Sequence, residues 1–188
     1  MSALVPAAWL TMHRHLLTGV DALDVACGRG RHALWLAEQG YRVTAIDRDS
    51  DALRELSEEA LGRGLSIATG LVDLERGSDV FPAEVVDVIV VVHYLHRPLF
   101  PQLLAALRPG GVLVYETFTT AQAARGKPTN PDFLLRPGEL RDLAGSLDVL
   151  AWREGEFDGR EVSSVVAQKP RDVVVAQKPR AGRDRPTA

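Results

Sequence analysis

The sequence has a single cysteine, Cys27, in 188 residues, so the chain cannot close a disulfide within itself. A chain without structural disulfides matches a reducing compartment, and a cytoplasmic protein is expected. There is no excess of positive charge: 22 Lys and Arg stand against 25 Asp and Glu, for a formal net charge of −3. Nothing in that balance attracts nucleic acid or an anionic membrane, and neither is expected as a partner. No apolar run approaches the roughly 20 residues that cross a bilayer. The apolar N-terminus lacks a basic leader and is interrupted at Pro6, which argues against a secretory signal. The chain is also too short for two ordinary domains. What remains, with 46% hydrophobic and 25% charged residues, is the composition of a soluble globular protein, expected as one domain over residues 1–170.

The most informative stretch is residues 22–39. A short apolar run ends at Ala26, turns through Gly28-Arg29-Gly30 and passes directly into a helical pattern with Ala33, Leu34, Leu36 and Ala37 on one face. A strand, a glycine turn and a helix in succession form a unit that holds a small ligand against a helix start. The spacing Gly28-x-Gly30-x-x-Ala33 also fits the dinucleotide fingerprint, so a nucleotide-type cofactor follows with its kind still open.

Before this unit, residues 5–18 carry Trp9, Leu10, Met12, Leu16 and Leu17 at helical spacing, as a helical cover within residues 1–20. His13 and His15 point to different faces of such a helix, with no cysteine or carboxylate cluster nearby, and no metal is expected. After the unit, residues 41–46 alternate as a second strand that ends at Asp47. A helix carrying Leu53, Leu56, Ala60 and Leu61 on one face follows, closed by Gly62 and Gly64. Residues 65–69 form a third strand, with Asp73 beyond its end. Residues 85–92 are apolar on both faces, as befits a central parallel strand covered by helices on each side. A helix over 98–107, a turn at 108–111 and a fifth strand over 112–118 complete the repeated part.

From 119 to 136 the periodicity vanishes, and a connection of that length reads as a lid-like loop. A helix over 137–144 precedes two strand-like runs, 147–157 and 161–168, joined by Asp158-Gly159, a strong hairpin signal. The segment 165–171 recurs as 174–180, so residues 171–188 read as a basic, disordered tail carrying a partial copy of the last strand. The predicted fold is α/β: a Rossmann-like, doubly wound, seven-stranded sheet, mostly parallel, with an antiparallel C-terminal hairpin strand.

A reversed last strand and these motifs resemble the class I S-adenosylmethionine-dependent methyltransferases. Asp24-Val25-Ala26-Cys27-Gly28-Arg29-Gly30 is similar to their first motif, and Asp47 stands where their ribose-binding acid stands. Asp73-Leu74 resembles their adenine step, and Leu107-Arg108-Pro109-Gly110-Gly111 the turn before their fifth strand. Within the class, the chain looks most similar to small bacterial members, including the tellurite-resistance type. The resemblance covers about residues 23–168. It implies S-adenosylmethionine as cofactor and methyl transfer to a small molecule, with a monomer or weak homodimer as the working form.

The resemblance implies donor contacts from Asp24, Ala26, Cys27, Gly28 and Gly30 around the first turn. It adds Asp47 and Arg48 at the second strand end, Asp73 and Leu74 beyond the third, and Val92 and His93 at the end of the fourth. The residue chemistry agrees, because an acid at Asp24 repels a pyrophosphate yet helps hold an ammonium or sulfonium. Arg29 and Arg31 weaken that argument, since either suits a phosphate. A thiolate role for Cys27 lacks a base partner in the sequence, so packing beside the turn is the expected role.

For catalysis, His93 is a candidate base or pocket-shaping group and Tyr94 a pocket wall. His96, Arg97, Glu116 and Arg125 are substrate-pocket candidates, with surface or lid positions as the alternative for His96, Arg97 and Arg125. The acceptor stays open among a thiol, a metalloid oxyanion, a hydroxyl metabolite and a protein side chain. Two other functions remain beside methyl transfer: a nicotinamide-dependent oxidoreductase, and a non-catalytic cofactor-binding module acting through a partner.

Overall fold

The computed structural model describes residues 5–76 and 80–171. The N-terminal cover is not one helix but a short α1 (Ala8–Met12) followed by a 3-10 turn at Arg14–Leu16. The break has a local cause. The ring Nδ1 of His13 lies 2.8 Å from the Trp9 carbonyl, the acceptor that the next helical N–H would use, and the His13 N–H goes to Thr11 instead.

Strand β1 (Asp21–Val25) leads through the glycine turn to α2 (Arg31–Glu38), then β2 (Arg42–Asp47). Helix α3 (Ser50–Gly62) starts at Asp49, whose carboxylate accepts from the Asp51 and Ala52 N–H groups at 3.0 and 3.1 Å. Strands β3 (Ile67–Leu71) and β4 (Val86–Val92) follow, with no helix among the described residues between them. Then come α4 (Phe100–Ala106), β5 (Leu107–Phe118), α5 (Glu139–Leu143), β6 (Asp148–Phe157) and β7 (Arg160–Gln168).

The seven strands form one sheet in the order β3-β2-β1-β4-β5-β7-β6. All neighbours from β3 to β5 are parallel, and β7 runs antiparallel to both β5 and β6. This is the expected doubly wound sheet with a reversed hairpin strand. Strand β4 shows why it is central. Val88, Val90 and Val92 enter the core beneath α1, α2 and α3, while Ile89 and Val91 enter the opposite core beneath α4 and α5. No helix among the described residues is long and apolar enough to cross a membrane.

Strand β5 begins earlier than the predicted 112–118. Between the pairs Val86–Leu107 and Val88–Val112 the chain bulges away from β4. There the Gly110 N–H donates to the Lys169 carbonyl at 2.9 Å, and the Lys169 N–H returns to Gly111 at 2.8 Å. The Pro-Gly-Gly step therefore pairs with the chain leaving β7 instead of simply turning. The aperiodic loop is closed on itself by a bridge between Thr119 and Leu135 and holds two 3-10 turns, Thr120–Ala124 and Pro131–Phe133. The second copy of the repeated segment, 174–180, lies outside the described residues.

Candidate cofactor cleft

Strands β1 and β4 are neighbours, but the chain leaves them toward opposite edges of the sheet, which opens a crevice at their C-terminal ends. Both strands end in a non-glycine residue with left-handed backbone, Ala26 at φ 53° and His93 at φ 61°. Such conformations are rare and cluster at functional sites. The cleft there has a volume of about 730 Å³, within the usual range for small-molecule sites.

One wall is acidic. Asp47 at the end of β2 accepts from the Gly28 N–H at 2.7 Å through Oδ2 and from the Asp49 N–H at 2.9 Å through Oδ1. Each oxygen keeps a second lone pair, so the carboxylate is held in place and still able to accept from a ligand. Asp73 is steadied by the Glu75 N–H at 3.1 Å and by Arg76 at 3.1 Å, with Leu74 beside it. Arg48 completes this wall, 3.8 Å from Glu75. The opposite wall is His93, Tyr94, Thr117 and Phe118, and residues 127–130 with Phe133 form the roof.

The two glycines of the turn serve different ends. A Cβ on Gly28, at φ 51°, would meet no atom within 4 Å, which leaves room for a ligand to approach the backbone. A Cβ on Gly30, at φ 74°, would lie 2.3 Å from Leu56 of α3, so this glycine permits close packing of that helix. The open cradle at Gly28, the placed Asp47 and the apolar face at Leu74 together fit an adenosyl amino acid.

Ala26, Asp47, Arg48, Asp73, Leu74, His93 and Tyr94 all line the cleft, as the sequence motifs imply. Others stand elsewhere, and each for a clear reason. Asp24, 1% exposed, lies beneath the start of α2, where Oδ2 accepts from the Ala33 N–H at 2.9 Å. Burial pushes its carboxyl up to about 7, against the opposing pull of that bond. It braces the turn from below instead of facing a ligand cation. Burial likewise raises the Cys27 thiol well above its ordinary range, which keeps it in the protonated form near pH 7. Val92 points into the core beneath α1, α2 and α3.

The substrate-pocket candidates need the larger correction. Arg97 makes a two-bond pair with Glu139, at 2.7 and 3.0 Å, and donates to the carbonyls of Asp132 and Leu134. It clamps the loop to α5. Glu116 accepts from the Ser164 hydroxyl at 2.6 Å and from Arg153 at 3.0 Å. Arg153 in turn lies over the rings of Trp9 and Phe157. Arg125 pairs with Glu156 and Glu161 and ties the Thr120–Ala124 turn to the hairpin. His96 is absent from the cleft lining and precedes a turn in which its carbonyl accepts from Leu99.

Conversely, Val72, Glu75, Leu95, Phe118, Pro128, Thr129, Asn130 and Phe133 line the cleft without having been singled out. Val72 and Glu75 flank the Asp73-Leu74 step, so strand-end logic extends to them. Phe133, an exposed aromatic within the aperiodic loop, carried no such signal.

His93 sits against Phe118, with ring centroids 4.6 Å apart. Burial first, then the charges of Arg31 and Arg160, push its imidazole down to about 4, so the ring is neutral near pH 7. Burial pushes Tyr94 up to about 12, which keeps its phenol protonated.

A family described as a methyltransferase domain matches residues 22–111. The probable S-adenosyl-L-methionine-dependent methyltransferase TehB of Haemophilus influenzae is 27% identical over 93 residues, covering 50% of this chain and 32% of that protein. Nocamycin O-methyltransferase of Saccharothrix syringae is 32% identical over 166 residues, covering 86% of this chain and 50% of that protein. The chain thus spans half the length or less of these curated relatives. The crystal structure of TehB from Haemophilus influenzae superposes with a TM-score of 0.74 at 21% identity, over 90% of this chain and 63% of that one. Residues 22–111 thus match a methyltransferase domain, and the chain as a whole shares the fold of the TehB structure.

Proposed function

We propose that the chain is an S-adenosylmethionine-dependent methyltransferase acting on a small-molecule acceptor. The observation that carries this is the Gly28–Asp47 pair, a bare backbone cradle beside a positioned carboxylate at the crevice of the sheet. In this reading Asp47 accepts from the ribose hydroxyls, Asp73 accepts from the adenine amino group, and Leu74 packs on the ring. Ala26 and Gly28 run beside the amino-acid portion. The donor supplies an activated methyl on a sulfonium, and the chain holds donor and acceptor in line, where positioning provides much of the acceleration. His93, neutral and at the strand end, is the group in reach to take a proton from an acceptor that arrives protonated.

A dinucleotide suits the turn less well. The Asp24 carboxyl already takes the Ala33 N–H at the helix start, a donor that a pyrophosphate would otherwise use. The naming of one relative as an O-methyltransferase favours a hydroxyl among the acceptor groups. The reading includes residues 1–170 as the catalytic unit, a cytoplasmic setting, and a monomer or weak homodimer.

Calorimetry tests it. S-adenosylhomocysteine is expected to bind with a Kd on the order of micromolar. Tight NADH binding without any binding of the adenosyl ligand would sink the proposal. Release of S-adenosylhomocysteine in the presence of an acceptor separates an enzyme from a cofactor-binding module.

A further inference from the structure

We infer that Arg31, His93 and Arg160 form a seat for an anionic group of the acceptor, beside the methyl donor; this rests on the methyltransferase reading above. The sign of the site follows from hydrogen-bond geometry. The Nδ1 of His93 lies 3.4 Å from Arg31, and its Nε2 lies 3.4 Å from Arg160. A guanidinium only donates, and a neutral imidazole has one accepting nitrogen. In either tautomer, one of the two contacts therefore sets an N–H against an N–H. Protonating the ring makes both contacts unfavourable. An anion lying between ring and guanidinium removes the conflict, because it accepts from both.

The charge balance points the same way. Among the described residues, neither Arg31 nor Arg160 has a carboxylate within 4.0 Å, whereas Arg97, Arg125 and Arg153 each have at least one. The two acids whose charge acts on Arg31 are already engaged, Asp24 with the Ala33 N–H and Glu116 with Arg153 and Ser164. Burial, and next the charge of Arg160, hold the Arg31 guanidinium below its ordinary range. Two cations thus share one small region, and neither has an ion-pair partner of its own among the described residues.

The seat lies where the start of α2 meets the reversed hairpin. Arg31 opens α2 after the glycine turn, and Arg160 opens β7 in the reversed hairpin. His93, stacked on Phe118, lies on the β5 side of the cleft, across from Asp47 and Asp73. The amino-acid carboxylate of the donor offers the same chemistry, so the experiment must separate the two sources.

The full chain, labelled for histidine NMR, is titrated with inorganic phosphate in its free form and again when saturated with S-adenosylhomocysteine. A saturable shift of the His93 ring in the loaded protein is expected. Arg160→Gln is expected to weaken that phosphate binding by about 10-fold or more while changing S-adenosylhomocysteine affinity by less than about 3-fold. Arg160 is exposed, and a melting curve matching the wild type shows that the variant is folded. Should Arg160→Gln and Arg31→Gln instead weaken S-adenosylhomocysteine about 10-fold, with the loaded protein refusing phosphate, the anion is the donor carboxylate and the inference falls. An unshifted His93 in both wild-type titrations overturns the seat altogether. Phosphate binding to free protein that never binds S-adenosylhomocysteine keeps the seat and rejects the methyltransferase reading.

Discussion

The Gly28 N–H donates to the Asp47 carboxylate at 2.7 Å, tying the turn after β1 to the end of β2. That single bond holds the acidic wall against the backbone cradle. Asp47→Ala removes this acceptor and the one serving Asp49. Calorimetry is expected to show S-adenosylhomocysteine affinity reduced by about 100-fold, as loss of charge-assisted hydrogen bonds worth about 1.5–3 kcal/mol each implies. Unchanged affinity would remove Asp47 from the site.

The two turn glycines predict opposite failures. Gly28→Ala places a methyl in open space at a cost of about 1–2 kcal/mol for the left-handed backbone, so the chain is expected to fold and lose ligand binding. Gly30→Ala drives a Cβ into Leu56 as well, and its stability is expected to fall by about 2–4 kcal/mol. Thermal melts alongside calorimetry distinguish the pair, and equal losses of stability would refute the distinction.

Asp24 gives a pH dependence of unusual sign. Its folded carboxyl titrates near about 7 against an ordinary value of 3.8, so the folded protein keeps a proton that the unfolded chain has released. Stability from this group is present below about pH 4 and declines as pH rises toward 7. Asp24→Asn keeps an oxygen for the Ala33 N–H and cannot ionise. Urea unfolding is expected to show a flatter profile across that window and a gain of about 1–3 kcal/mol at pH 8. A loss of stability there would mean that the ionised form is the favoured one.

The Arg97–Glu139 pair carries the ordinary sign. Its two-bond contact with Arg97 pushes Glu139 down to about 2, so its contribution is complete above the ordinary value of 4.5 and is lost as pH falls through about 2. Arg97→Met is expected to cost about 2 kcal/mol at neutral pH and to flatten the acid limb. It also frees the carbonyls of Asp132 and Leu134, so limited proteolysis is expected to cut faster within residues 125–135. Wild-type cleavage rates would show that the clamp does not hold the loop.

Local chemistry determined much of this protein from sequence alone. The two-faced apolar run at β4, the glycine turn before α2 and the Asp-Gly hairpin each reflect backbone geometry over a few residues, and together they specify the sheet and its reversed strand. The same logic located Asp47 and Asp73 at the crevice, because they stand at or just beyond the C-terminal ends of β2 and β3. Tertiary structure decided what the long charged side chains do. Arg97, Glu116 and Arg125 find partners 31 to 48 residues away, so no local pattern announces whether each meets a ligand or a neighbour. Asp24 is the sharpest case. Its place in the motif was legible, but its direction, downward onto the Ala33 N–H, follows only from how β1 and α2 pack. The juxtaposition of Arg31 and Arg160 across His93 belongs to the same class, since it brings α2 and the last strand to one imidazole.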